Sequence, residues 1–364
     1  MKMLWELPED IQKLIVEGNL CKHGDLIGEM STPHSMIYTF KGNDINYVVA
    51  KGIKIEESMS LVDKHNFFSQ ALYEVNNAYV VCHHPSIQRF FDVDVISGVP
   101  FLLSRKRDTT LRDFICEGPV SEPEALSISI QIVHALSYCA KKGLLCHQDL
   151  KPENVFLDYI SKHFDAGDGY PIKMRSFVAD FELANAYLVL RRPYGSRPYM
   201  APEQYVKSLE EGSPDFSKVD VFAVGVILFE MLTGGIHPLG EETILIWPEP
   251  SEGKSPQWRR ETPWKKWLKR GAKIECESDN VSHDAYEIIR SCLQVDFSNR
   301  FTKEQLEARL LERLSLIDKV AYDTIVALLD DLDRIADESE SGGWPYYTDR
   351  VEMLNKAFPD YPAR

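Results

Sequence analysis

The run Leu145-Cys146-His147-Gln148-Asp149-Leu150-Lys151-Pro152-Glu153-Asn154 decides the reading of this 364-residue chain. It places a carboxylate (Asp149), an amine (Lys151) and a carboxamide (Asn154) close together, the groups that orient a hydroxyl, neutralise phosphate charge and ligate a hard cation. Working outward, Ala179-Asp180-Phe181-Glu182 and Gly195-Ser196-Arg197-Pro198-Tyr199-Met200-Ala201-Pro202-Glu203 follow it, and Val48-Val49-Ala50-Lys51 precedes it. Asp220-Val221-Phe222-Ala223-Val224-Gly225 and Cys292-Leu293-Gln294-Val295-Asp296-Phe297-Ser298-Asn299-Arg300-Phe301-Thr302 lie further on.

In this order the runs resemble the motifs of the protein kinase family. The first is similar to H-R-D-x-K-x-x-N with Gln148 in place of arginine, the second to D-F-G with Glu182 in third place, and the third to A-P-E; Val48 to Lys51 is similar to V-A-I-K. The resemblance implies an α+β, bilobal protein-kinase fold: a small β-rich lobe (1–104), a mainly helical lobe (105–318) and a C-terminal helical extension with an aromatic tail (319–364). It implies ATP and Mg2+ as cofactors and a protein substrate. Lys51, paired with Glu74, would hold the α- and β-phosphates, and Asp149 would take the proton of the incoming hydroxyl. Lys151 would meet the γ-phosphate, and Asn154 and Asp180 would ligate magnesium. The nucleotide would lie against Gly28, Met36, Val49 and Phe156. His147 and Phe181 would join an apolar column between the lobes, Asp220 would accept catalytic-loop amides, and Glu203 would pair with Arg300. The Lys151-Pro152-Glu153 spelling resembles serine/threonine kinases. By themselves, Lys51 also reads as a surface strand lysine and Glu74 as a solvated helix glutamate.

The departures from the pattern carry information. Ile27-Gly28-Glu29-Met30-Ser31-Thr32-Pro33-His34-Ser35 keeps one glycine of G-x-G-x-x-G, Pro33 removes an amide donor, and Glu29 brings a negative charge toward the phosphates. Val49 and Phe156 enlarge the roof and floor of the purine slot, and Glu182 adds a side chain and a charge beside Asp180. Gln148 cannot grip an activation-loop phosphate as arginine does. Between Phe181 and Gly195 there is correspondingly no Ser or Thr, only the hydroxyls of Tyr187 and Tyr194. An enzyme independent of activation-loop phosphorylation is the expectation; the alternatives are a pseudokinase scaffold and a nucleotidyl transferase on the same fold.

A net charge of -15 argues against a nucleic-acid binder or a peripheral binder of anionic membrane, and 44% hydrophobic with 27% charged residues describes an ordinary folded domain. Seven scattered cysteines without a C-x-x-C pair fit free thiols in a reducing compartment. With no long apolar run, a cytoplasmic protein is expected. The basic, aromatic stretch Trp258 to Arg270 suggests docking of an acidic substrate or partner, or a solvated helix with buried tryptophans.

Periodicity places the elements. A short helix is expected near Glu9 to Glu17, a hairpin over Ser35 to Tyr38 and Asn46 to Lys51 turning at Lys41-Gly42-Asn43-Asp44, and a helix from Phe68 to Tyr79 with Glu74 at the edge of its apolar stripe. Strands over Phe90 to Asp94 and Pro100 to Ser104 and helices over Leu111 to Ile115 and Glu124 to Lys142 follow. An extended hairpin turning at Asp165 to Gly169 should join Asn154 to Asp180; this turn reads as solvated loop rather than calcium loop. Thr302 to Gln305 is a capping box that opens a helix. A further helix runs through Ile325, Leu328, Leu329, Leu332 and Ile335, with Ser339 to Gly343 as a linker beyond it.

Overall fold

After a short N-terminal helix the chain forms strands, and alternate side chains of the central ones enter two different apolar layers. The computed structural model describes residues 3–31, 35–42, 47–55, 59–163, 170–187, 195–205, 216–247 and 262–342. Strands β1 (Asp25–Ser31), β2 (Ser35–Lys41), β3 (Tyr47–Ile53), β4 (Phe90–Ile96) and β5 (Val99–Arg105) make an antiparallel sheet in the order β1-β2-β3-β5-β4. Tyr38, Phe40, Ala50, Phe101 and Leu103 share one apolar cluster, covered by Leu4 and by Val16 and Leu20 of helix α1 (Glu9–Leu20). Val93 and Leu102 belong to a second cluster, closed by Phe68, Leu72 and Val75 of helix α2 (Leu61–Val81). Gly52 permits the close passage of the Phe101 ring, which would lie 2.4 Å from a Cβ there. Rather than ending at Lys51, β3 continues to Ile53, which still pairs with Ser35 and packs against both clusters. The expected turn residues Asn43 and Asp44 lie outside the described residues.

The second part of the chain is mainly helical. A small sheet of β6 (Thr109–Thr110), β7 (Val155–Tyr159) and β8 (Met174–Val178) sits between α3 (Leu111–Cys116), α4 (Glu122–Lys141) and α5 (Ile160–His163). The hairpin expected before Asp180 is the β7–β8 pair, with the helical turn α5 following β7; Asp165 to Gly169 lie outside the described residues. Helix α6 (Val219–Thr233) is buried at every position, as a helix apolar on all sides must be. After α7 (Thr243–Ile246) comes α8 (Thr262–Lys269), and α9 (His283–Cys292) approaches α6 at Gly225, where a Cβ would stand 2.5 Å from that of Cys292. Trp264 and Trp267 of α8 are buried against His237, with ring centroids 5.0 and 4.9 Å away, while Lys265, Lys266 and Lys269 stay exposed. Trp258 to Glu261 lie outside the described residues. All seven cysteines are free thiols.

Helix α10 (Lys303–Ile317) opens on the capping box, with Thr302 and Gln305 each serving the other's amide. Helix α11 (Lys319–Gly342) is longer than its periodicity foretold: residues 339–342, read as linker, form its last turn. They have partners there, since Ser339 Oγ lies 2.9 Å from His83 Nδ1 and Glu340 2.5 Å from both Tyr138 and Lys142. The buried face runs Ala321, Ile325, Leu329, Leu332, Ala336, leaving Ile335 on the exposed side. These side chains enter the same core as α4 and α6. Burying each large one contributes about 1.5–3 kcal/mol, against roughly 0–1 for an exposed ion pair, so apolar packing holds α11 and charge tunes it. The aromatic residues Trp344 to Tyr361 lie outside the described residues.

One charged contact makes α11 sensitive to pH. His134 on α4 faces Glu307 of α10 through Nδ1 at 3.3 Å and Asp333 of α11 through Nε2 at 3.1 Å, with the His84 ring beside it at 5.6 Å between centroids. Two carboxylates on two ring nitrogens require both to donate, which only the imidazolium does. Burial alone would lower its pKa, but the two carboxylates outweigh burial and hold it above the ordinary value of about 6.5. The contribution is therefore fully present below the unfolded value and lost as pH rises through the raised one. Amide exchange over 319–342, corrected for its intrinsic pH dependence, should accelerate as pH rises above about 6.5, and His134→Gln should remove that dependence. A flat wild-type profile would refute the linkage.

Candidate active site

Lys51 lies on the α2 side of β3, paired across the sheet with Ile37 and Leu102. Its ammonium donates to both carboxylate oxygens of Glu74 at 2.9 and 3.0 Å and to Asp180 Oδ1 at 3.2 Å. Glu74 is buried on α2, and Asn77, one turn further, donates to the Phe181 carbonyl at 2.9 Å. The helix is thus tied to the segment carrying Asp180 directly by Asn77 and, through the shared Lys51 ammonium, by Glu74. Burial would lower the Lys51 pKa, but Asp180, Glu74 and Glu182 hold it well above its ordinary value. Burial would likewise raise the Asp180 carboxyl, but Lys51, Lys151 and His147 hold it low. Both groups are charged.

The catalytic-loop run is fixed from below. Buried Asp220 accepts from the amides of His147 at 2.9 Å and Gln148 at 3.0 Å, and His147 Nε2 donates to the Ala179 carbonyl at 2.8 Å while its ring meets Phe181 with centroids 4.9 Å apart. Asp149 accepts from the Ser196 amide at 2.6 Å and from Lys151 Nζ at 3.0 Å, and Lys151 also donates to Ser196 Oγ at 3.1 Å. Asp149 and Asp180 outweigh the burial of Lys151 and raise its pKa. Asn154 donates its amide to the Asp149 carbonyl at 2.9 Å, and its backbone carbonyl accepts from Ala179 at 2.9 Å. The side-chain atom that Asn154 can offer a cation is therefore its oxygen. With Asp180 this makes a hard oxygen set that fits magnesium.

Glu182 adds a third carboxyl group, one that its surroundings keep largely protonated near neutral pH. It, Glu74 and Asp180 each offer a carboxylate oxygen within 4.8 Å of the others, around the Lys51 ammonium. Burial, then Asp180 and Glu74, push the Glu182 carboxyl up to about 8. A site so rich in carboxylate favours a bound cation.

The nucleotide-side residues divide. Gly28 pairs with Thr39, and Thr39 with Val49, so the three span adjacent strands; Phe156 stays half-buried on β7 between buried Val155 and Leu157. Met36 does not join them. It packs against the cluster of Tyr38 and Phe40, two and four residues on, whereas Ile37 pairs with Lys51. Glu29 also turns away from its expected place, forming an ion pair with Lys13 of α1 at 3.0 Å. Thr32, Pro33 and His34 lie outside the described residues. Sequence reasoning missed Ser196, Asn77 and Ile37; Ser196 stands inside the run Gly195 to Glu203 but has no marker there of its bond to Asp149.

A family model described as "Protein kinase domain" matches residues 33–310. The serine/threonine-protein kinase GIN4 of Saccharomyces cerevisiae is 31% identical over 244 residues, 64% of this chain and 18% of that protein. The serine/threonine-protein kinase PrkC of Bacillus subtilis is 28% identical over 183 residues, 50% of this chain and 26% of that protein. The phosphorylase b kinase gamma catalytic chain, liver/testis isoform, of Homo sapiens is 31% identical over 232 residues, 62% of this chain and 50% of that protein. The matched regions span half or less of the length of these relatives.

Proposed function

We propose, since this chain belongs to the protein kinase family, that it transfers the γ-phosphate of ATP to a serine or threonine hydroxyl of a protein substrate. The observation that carries the reading is Asp149, held by Ser196 and Lys151 beside the Lys51–Glu74–Asp180 ion cluster. In it, Asp149 orients the incoming hydroxyl and takes its proton, Lys151 meets charge on the transferred group, and Lys51 holds the α- and β-phosphates. Magnesium between Asn154 and Asp180 would supply the neutralising charge. Gly28, Ile37 and Val49 above and Phe156 below would enclose the base and sugar. Residues 1–104 and 105–318 serve as the two lobes and 319–364 as the accessory extension. The exposed lysines of α8 offer a docking place for an acidic substrate.

The enzyme needs no activation-loop phosphate in this reading, because Gln148 has no charge to receive one and residues 182–194 contain no Ser or Thr. Tyr187 stacks on Phe216 with centroids 4.3 Å apart, and Tyr194 lies outside the described residues. Incubation with magnesium and γ-labelled ATP, before and after phosphatase treatment, tests both statements. Label should reach a generic protein substrate equally in the two samples. No label at all would overturn the kinase reading, and label lost on treatment would overturn the phosphate-independent one. Among the described residues no helix is long and apolar enough to cross a membrane.

A further inference from the structure

Gln148 occupies a conformation that side chains adopt only when held there. Its φ is 72°, in the left-handed region, and the residue is 3% exposed. Both limbs of the segment between Phe181 and Glu203 meet at it. On the entry limb, its side-chain oxygen accepts from the Tyr187 amide at 3.2 Å. On the exit limb, its carbonyl accepts from Gln204 Nε2 at 2.9 Å, and Gly195, at φ 151°, passes so close that a Cβ would stand 2.6 Å from that carbonyl.

Neighbouring bonds extend the seam. Asn185 donates its backbone amide to the Cys146 carbonyl at 3.1 Å, accepts from the Cys146 amide at 3.2 Å, and donates from its side chain to Gly143 at 2.7 Å. Residues 185–187 thus lie along 146–148, and the Tyr187 ring is fixed on Phe216. On the far limb, the residue after Gly195 is Ser196, which holds Asp149 and Lys151.

We propose that Gln148 is a positioning residue: its neutral amide latches the activation segment through the Tyr187 backbone and so sets Ser196 against Asp149 and Lys151. The inference rests on the kinase reading for its effect on rate, though not for the latch itself. An arginine at this buried place would need an anion to neutralise it, whereas glutamine completes the contact with a backbone N–H that is always there. The latch is closed by the fold alone.

Gln148→Met keeps the side chain's length and removes its acceptor, so it tests the latch directly. By amide exchange, the Tyr187 amide should lose protection in the variant while α6 and α9 keep theirs. In steady-state transfer, kcat should fall about tenfold with KM for ATP unchanged, since misplacement reaches Ser196 and not Lys51. Unchanged Tyr187 protection would overturn the latch whether or not the protein proves to be a kinase. Lost protection with kcat within twofold of wild type would overturn the positioning role. A fall in kcat accompanied by an equal loss of protection throughout α6 would make Gln148 a general stability residue and overturn the proposal too. Wild-type protein that labels no substrate would count against the kinase reading alone, leaving the exchange result to judge the latch.

Discussion

Asp149→Asn is expected to lower phosphoryl transfer by about 10²- to 10⁴-fold, the usual share of a general base, while leaving the melting temperature and nucleotide KM close to wild type. The carboxamide is nearly isosteric, and its oxygen can still accept from Ser196, which approaches at 2.6 Å. Its nitrogen would face the Lys151 ammonium, now 3.0 Å from a carboxylate oxygen, and two donors cannot pair. The variant therefore loses the proton acceptor and displaces Lys151 together, which places its effect on the chemical step. Lys51, Glu74 and Asp180 form a separate cluster and keep the nucleotide side intact. Single-turnover quench with γ-labelled ATP reads the step directly. Activity within about tenfold of wild type would remove Asp149 from the role given to it.

Glu203→Gln should destabilise the fold by about 3–5 kcal/mol, the cost of leaving one member of a buried ion pair without its partner. Arg300 is fully buried and grips Glu203 through two bonds, Nη1 to Oε1 at 2.5 Å and Nη2 to Oε2 at 3.1 Å. Its remaining donors reach only the carbonyls of Gln294 and Lys218. Without Glu203 the guanidinium stays in the core against neutral oxygens. Combining Glu203→Gln with Arg300→Met should cost less than the single changes sum to, because the stranded charge goes as well. Urea denaturation of the four proteins measures this; a single-variant loss under about 1 kcal/mol would show the pair to be solvated enough to be dispensable. Activity should fall with stability here, since Gln204 next door bonds Gln148. That distinguishes this loss from that of Asp149→Asn.

Most chemical groups of the site could be read from the sequence because they stand in short runs with a fixed local purpose. Asp220 under the catalytic loop and the Glu203–Arg300 pair have the partners the runs implied; Lys51 also meets Glu74, which stands in no such run and is suggested only by its place on a helical stripe and by the family resemblance. What the runs could not supply was orientation. Met36-Ile37-Tyr38 is apolar at every position, so alternation gave no sign that Ile37 and not Met36 shares the face of Lys51; that is set by α1 covering the other face. Glu29 looked like a charge near phosphate until Lys13, on a distant helix, claimed it. Ser339 and Glu340 read as linker because Ser, Glu and Gly favour loops, and only His83, Tyr138 and Lys142 turn them into a helix end. Each miss is a tertiary partner overriding a local preference.

Helix α11 has a mechanical consequence. At 24 residues it is a rod about 36 Å long, rooted in the helical part and touching, at its last turn, the bend after α2. That bend is itself stitched to β8 through Ser86, Gln88 and Val178, so it would be the fulcrum for any rocking of α2 and the strand sheet. A strut braced against a fulcrum changes the stiffness of the joint without touching the load. A tilt of α2 and the strand sheet about that bend would stretch the Ser339–His83 contact or flex the rod, so a helix that carries none of the site's chemistry would stiffen the joint.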